Sequence, residues 1–460
     1  MSRLSQRAAC LRRLPLAAVL SLAFAGASQA QSLVDIYEMA RGHDASYLAA
    51  RAQYEASLAK ADQGKSALLP TVGLSAAATR SQRTQNPELI APAPSNYSYT
   101  TQTAGINASQ PLYRPANLAT YRQSQKGLEL AEAALSQAEQ DLVVRVSQAY
   151  FEVLTAQGSL TFLQAQKAAV AEQLASAKRN FEVGTATITD TREAQARFDL
   201  VTAQEIAADN DLRVKTMALE LLVGKAGLKP LRIQAGATLP AVDGQSVDNW
   251  IALGEENHPT IRQARANVEV ARLETEKAVA GHKPTLDLTL GYNAQKNISG
   301  TSVSVLPTAT FPYGSNQINI ASAGVTLNLP LFAGFATQNR IRETTALEDK
   351  ARMDLEGAQR QVAQATRTAY LGLQSGLSQI KAYEAAESSS QMALDANKLG
   401  YQVGVRINID VLNSQSQLYQ TKRDLAKARY DVLVGQLRLR QAAGVLKAED
   451  LQPINRLLAP

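Results

Sequence analysis

The chain has 460 residues, of which 47 are Lys or Arg and 41 are Asp or Glu, so its formal net charge is +6 at pH 7. Four of the arginines and the one cysteine, Cys10, lie within residues 1–30, which hold no acidic residue. The remaining chain therefore carries +6 less four, about +2. This balance gives no reason to expect nucleic-acid binding, and disulfides and thiol chemistry are excluded beyond residue 30.

The sequence offers no motif of an enzyme or of a metal site. The three histidines, His43, His258 and His282, are far apart and lack metal-ligand spacing. Phosphate-binding loops, nucleophile elbows and paired-carboxylate motifs do not occur. We therefore predict no catalytic residue, metal or cofactor, and expect a protein that is not an enzyme.

Residues 1–30 have the pattern of a secretory signal peptide. Arginines at the start precede a short apolar run from Leu14 to Ala25, and Ser28 and Ala30 supply the small residues that a signal peptidase requires. The run is too short to span a bilayer. No later run of 18 or more apolar residues occurs, so we predict export without a transmembrane helix.

The rest of the chain consists of two similar sequence repeats. Gly184 corresponds to Gly404 and Asp190 corresponds to Asp410, each pair 220 positions apart. This period exceeds that of any solenoid repeat and indicates a duplicated structural unit. We expect a first repeat over 31–224, a connector over 225–247, a second repeat over 248–446 and a short tail over 447–460.

Each repeat is predicted to contain the same elements in the same order. Residues 285–294 alternate strictly between apolar and polar side chains, which predicts a strand. Leu418, Leu425, Val432 and Leu439 recur every seventh position, which predicts coiled-coil-like packing. The predicted elements are a helix over 33–66 and 248–281, a strand pair over 68–112 and 284–331, a long helix over 115–183 and 335–402, a turn, and a shorter helix over 190–223 and 410–444.

Four amphipathic strands per chain are too few for a closed barrel. Left open, their edges would aggregate, and in a membrane an open edge is not viable. A signal peptide together with strands of about ten residues suggests an outer-membrane barrel to which several chains contribute. Strand number alone permits two, three or four chains, and a soluble sheet covered by helices is the alternative.

The two turns carry the motifs FEVGTATITD at 181–190 and YQVGVRINID at 401–410. Gly184 and Gly404 supply the conformational freedom that chain reversal requires. We predict that Asp190 and Asp410 cap the helices that follow, and that Asp190 and Glu193 form a capping box.

In these motifs, and in the longer stretch YQVGVRINIDVLNSQSQLYQTKRDLAKARYDVL, the chain resembles the TolC family of outer-membrane efflux channels over about 33–450. The resemblance implies a mainly α fold with β: a homotrimer whose long helices form an α-barrel joined to a 12-stranded outer-membrane β-barrel. It also implies an outer-membrane location with a long periplasmic extension. The implied partners are a periplasmic adaptor protein, an inner-membrane ABC or RND transporter, and outer-membrane lipid.

The resemblance also assigns roles to residues of the turns. Tyr401 and Arg406 match the donors of polar links that close the periplasmic aperture of the family. Thr189 and Asp190 match the acceptors, and Asp410 matches the first of two aspartate rings. Asn413 stands where the second ring has Asp, which should weaken the negative field of the mouth. The residues implied in adaptor contact are Val183, Gly184, Val403 and Gly404.

The resulting prediction is an exit duct of a tripartite export system. It leaves open whether the duct passes proteins, as in type I secretion, or small molecules. The alternative from another class is a trimeric coiled-coil stalk or adhesin of the cell envelope, which would also be exported, helical and assembled.

Overall fold

The computed structural model describes residues 31–85, 95–234, 246–306, 309–313 and 316–458. The predicted signal peptide, residues 1–30, and residues 235–245 of the predicted connector lie outside this part. The described residues divide into two compact units. The first comprises the chain up to Leu48, Glu139–Gly254 and the chain from Ala365 onward; the second comprises Ala49–Ala138 and Glu255–Gln364.

Helices make up most of the described chain. They are α1 (Leu33–His43), α2 (Ala45–Ser66), α3 (Pro115–Glu182), α4 (Ile188–Val223), α5 (Val247–Asn257), α6 (Pro259–Val279), α7 (Ala336–Gln402), α8 (Asn408–Ala442) and α9 (Leu451–Asn455). Short 3-10 helices occupy Ala280–His282 and Ala448–Asp450. Within the described ranges, no helix has both the length and the apolar character that a membrane span requires.

The helical segment 33–66 is two helices, separated at Asp44. The Asp44 side chain accepts a 2.8 Å hydrogen bond from the backbone N–H of Tyr47 in the first turn of α2. Two guanidinium bonds from Arg145, of 3.0 and 3.1 Å, hold the same carboxylate. The capping bond and the ion pair therefore fix the break between α1 and α2.

The segment 248–281 is likewise broken, at His258. The residue before a proline is disfavoured in the α conformation, and Pro259 follows directly. His258 adopts an extended conformation, and its Nδ1 accepts a 3.1 Å hydrogen bond from the N–H of Thr260. Pro259 then begins α6, where a missing N–H is tolerated.

The second unit contains an antiparallel sheet. Its strands are β1 (Thr71–Gln85), β2 (Ser95–Tyr113), β3 (Thr285–Leu306), β4 (Ala309–Tyr313) and β5 (Asn316–Asn328). The main sheet has the order β1-β2-β3-β5, and among the described residues the short β4 pairs only with the later part of β3. The β2–β3 pairing, in which Ile106 faces Tyr292, joins the two halves of the duplicated sequence.

The outer strands of this sheet leave apolar residues exposed. Among the described residues β1 pairs only with β2, and β5 pairs only with β3, so each has one free edge. Leu74 on β1 and Leu327 on β5 are 79% and 67% exposed. Exposed apolar residues beside a free strand edge are typical of surfaces that contact another chain or lipid.

The seven-residue line predicted on α8 lies in the core of the first unit. Leu418, Leu425, Val432 and Leu439 are all buried. The corresponding line on α4 has Glu205, whose carboxylate lies 2.7 Å from Nζ of Lys167 on α3. This pair accommodates the charged residue at an otherwise apolar position.

Candidate functional site

Two turns of the first unit, between α3 and α4 and between α7 and α8, have the same backbone hydrogen bonds. Gly184 and Gly404 have φ of 78° and 79°, a left-handed conformation that favours glycine. In each turn the carbonyl four residues before the glycine accepts two backbone hydrogen bonds. In the first turn the carbonyl of Asn180 accepts them from Thr185 N at 2.8 Å and Ala186 N at 3.2 Å. In the second turn the carbonyl of Gly400 accepts them from Val405 N at 2.8 Å and Arg406 N at 3.0 Å. The sequence repeat is therefore also a structural repeat at these turns.

The tips of both turns are open. Val183 and Val403, which precede the glycines, are 72% and 65% exposed. A Cβ placed on Gly184 or Gly404 would meet no atom within 4 Å among the described residues. Both tips thus present bare backbone and an apolar side chain to the surroundings.

The first turn is closed by a capping box between Thr187 and Asp190. The Thr187 hydroxyl accepts a 3.2 Å bond from the N–H of Asp190, while Asp190 Oδ2 accepts bonds from the N–H and the hydroxyl of Thr187 at 2.9 and 2.7 Å. The prediction that Asp190 itself caps the helix with Glu193 is wrong. Thr187 is the capping residue and Asp190 is the third residue of α4, because α4 begins at Ile188. Thr189 lies exposed beside them.

The second turn lacks this box because Ile407 stands at the capping position and has no hydroxyl. Asp410 is the third residue of α8, so the prediction that it caps the helix is also wrong. Its Oδ2 lies 3.6 Å from Nη1 of Arg406 in the same chain. Within the chain, Arg406 therefore pairs with Asp410. Both side chains are substantially exposed, and such pairs stabilise by less than about 1 kcal/mol.

Polar contacts join the repeats near the turns, and two of them involve Tyr401 and Asn413. Asn180 Nδ2 donates a 3.3 Å hydrogen bond to the hydroxyl of Tyr401. Arg197 Nη2 donates a 2.6 Å hydrogen bond to Oδ1 of Asn413. Sequence reasoning singled out Tyr401 and Asn413 and missed Asn180 and Arg197, because neither partner lies within the repeated positions that it compared.

Apolar packing brings the predicted site residues together. Leu412 of α8, buried completely, packs with Ala194 of α4 and Leu174 of α3. Val411 of α8 packs with Leu394 of α7 in a second cluster, and Tyr401 packs against that cluster. These contacts hold the starts of α4 and α8 and the ends of α3 and α7 in one patch. The site is a cluster of exposed polar groups on a buried apolar base.

The fold of the described chain is shared by a solved outer-membrane protein. The crystal structure of the outer membrane protein VceC from Vibrio cholerae matches with a TM-score of 0.74, covering 90% of this chain and 96% of that chain. The two sequences are 20% identical, so this likeness shows the fold alone.

Sequence comparison then gives the family. The profile described as outer membrane efflux protein matches residues 36–225 and 250–445, and the chain belongs to that family. The outer membrane protein TolC of Vibrio cholerae is 32% identical over 93% of each chain. The alkaline protease secretion protein AprF of Pseudomonas aeruginosa is 32% identical over 92% of this chain and 86% of its own.

The predicted family and its class of function are thereby confirmed. The protein is an outer-membrane efflux or secretion channel of the TolC family, and it transports rather than catalyses. Family membership favours this reading over the alternative of a structural stalk or adhesin.

Proposed function

We propose that three copies of this chain form one continuous exit duct. In the proposed assembly each copy supplies four strands to a closed sheet of twelve in the outer membrane, and the helices extend the duct into the periplasm. The single observation that carries this proposal is the pair of free sheet edges on β1 and β5, which closure among copies would satisfy. The limits 31–224 and 248–446 remain our proposal for the two repeats.

Exposed apolar residues on two helices support association with further copies. Leu200, Val214 and Leu221 on α4 are separated by multiples of seven positions and are exposed. Leu371, Met392 and Leu399 on α7 have the same kind of spacing and are also exposed. Seven-residue stripes are the contact lines of supercoiled helices, so these faces suit helices of neighbouring copies.

We further propose that the two turns form the gate at the periplasmic mouth. In the closed assembly, Tyr401 and Arg406 of one copy bond to Thr189 and Asp190 of another, and opening exchanges these bonds for contacts with an adaptor. The in-chain pair between Arg406 and Asp410 gives Arg406 an alternative partner once the links break. The exposed tips at Val183–Gly184 and Val403–Gly404 are the proposed adaptor contacts.

The proposed partners are a periplasmic adaptor and an inner-membrane ABC or RND transporter, which together with this channel form a tripartite export system. Similarity to the alkaline protease secretion protein AprF favours a protein cargo, and small molecules remain the second candidate. Deletion of the gene should abolish secretion of a protein, raise sensitivity to drugs, or do both. A deletion strain unaffected in both respects would contradict an export role, and complementation with the intact chain is the control.

A further inference from the structure

Arg197 carries a positive charge that no described carboxylate neutralises. It lies on α4, and its Nη2 donates the 2.6 Å hydrogen bond to Oδ1 of Asn413 on α8. An asparagine accepts this bond without contributing a negative charge. No ion pair within the described ranges includes Arg197, whereas Asp410, three residues before Asn413, is paired with Arg406.

A hollow beside Arg197 has a basic and neutral lining. Arg197 and Arg423 line a hollow of about 250 Å³ between α3, α4 and α8, together with the amides of Gln166, Gln204 and Gln420. Among the described residues that line this hollow, none is acidic. Arg423 Nε lies 3.4 Å from Oδ1 of Asp424, which is not among the residues that line the hollow. A recess with two guanidinium groups and amide donors attracts anions.

We propose that Arg197 sets the charge selectivity of the mouth. Arg197 places a positive charge at the level of Asn413, one turn of α8 beyond Asp410. In the assembly, a ring of Asp410 carboxylates is followed by a ring of Arg197 guanidinium groups. The Arg197 ring opposes the Asp410 ring, so the mouth favours cations less than a mouth with acidic groups at both levels would. This inference rests on the proposed function, which places Asp410 and Asn413 at the narrowest part of the duct.

The chain offers a residue that separates this role from a general loss of positive charge. Arg213 lies on the same helix, sixteen positions further on, and is paired with Asp209 at 2.8 Å. Its side chain is 74% exposed, so Arg213→Gln removes the same charge from α4 without touching Asn413.

The test is the reversal potential of single channels of the full-length protein in planar bilayers under a potassium chloride gradient. Arg197→Gln should raise the potassium-to-chloride permeability ratio about two- to fivefold, the combined effect on a cation and an anion of one unit charge about 10 Å away in water. Asn413→Asp should shift the ratio in the same direction, because the new carboxylate neutralises Arg197. Arg213→Gln should leave the ratio at the wild-type value.

An unchanged ratio in Arg197→Gln, or an equal change in Arg213→Gln, would overturn the inference. If Arg197→Gln does not assemble, Arg197→Met supplies a second neutral side chain at this position, and an unchanged ratio in it would overturn the inference in the same way. Absence of conductance in the wild type would instead contradict the proposed channel assembly, so the two failures are distinguishable.

Discussion

The guanidinium of Arg406 lies 3.6 Å from the carboxylate of Asp410, four positions further along the same chain. The proposed closed gate requires Arg406 to bond to Asp190 of another copy, so Asp410 and Asp190 compete for one cation. Asp190 is already engaged by two donors of Thr187. We therefore propose that each link across copies is weak and that an adaptor needs little binding energy to release it.

The first prediction concerns this gate. Combining Arg406→Ser with Tyr401→Phe removes both proposed donors, so the closed mouth should loosen and the single-channel conductance should rise. The measurement is conductance in planar bilayers. Arg429→Ser is the matched control, because Arg429 lies on α8 and pairs with Glu384 at 2.8 Å, outside the turn. Equal conductance of the double variant and the wild type would argue against the lock.

The second prediction concerns the unequal capping of the two turns. Thr187→Ala removes the capping hydroxyl, which should destabilise the start of α4 by about 1 kcal/mol and speed amide exchange there about fivefold. Ile407→Thr supplies the missing hydroxyl to α8 and should slow exchange over residues 407–411. Hydrogen exchange measured by mass spectrometry reports both. Identical exchange in wild type and Thr187→Ala would show that the box contributes no stability.

The third prediction concerns Asp44. Burial opposes ionisation of this carboxyl, but the bonds from Arg145, Ser46 and the backbone of Tyr47 outweigh burial and lower its pKa from 3.8 to about 2. Because the folded pKa is the lower one, the stabilisation is fully present above pH 3.8 and is lost as the pH falls towards 2. The shift corresponds to about 2 kcal/mol at neutral pH for a side chain that is only 6% exposed.

The variant Asp44→Asn should accordingly unfold at a lower temperature than the wild type at pH 7, and the difference should shrink below pH 4. Circular dichroism at a series of pH values measures it. Lys350→Gln, which removes one member of an exposed pair with Asp354 on α7, serves as a control without this pH dependence. A difference between Asp44→Asn and wild type that is independent of pH would contradict the ionic role of Asp44.

Regular patterns made much of the fold predictable. The line Leu418, Leu425, Val432 and Leu439 is buried as expected, because a seven-residue period identifies one face of a helix regardless of its partner. The alternation over 285–294 likewise predicts β3, because one face of a strand recurs every second residue. The duplicated glycine turns follow from the positive φ that few other residues adopt.

Contacts between distant residues were not predictable. The break between α1 and α2 at Asp44 depends on Arg145, which lies about a hundred positions further along the chain. No local sequence pattern predicts that these two residues pair. The contact between Arg197 and Asn413 depends on how α4 packs against α8. The wrong prediction that Asp190 caps α4 has a different origin. Thr187, three positions earlier, has a hydroxyl that accepts a hydrogen bond from the N–H of Asp190, so Thr187 is the capping residue.

The central claim is that one chain is an incomplete part of a three-chain duct. Light scattering coupled to size-exclusion chromatography, applied to detergent-extracted outer-membrane protein and corrected for bound detergent, measures the protein mass directly. The account predicts three chains per particle, a state in which the edges of β1 and β5 are satisfied between copies. A folded single chain that stays soluble without detergent would contradict it.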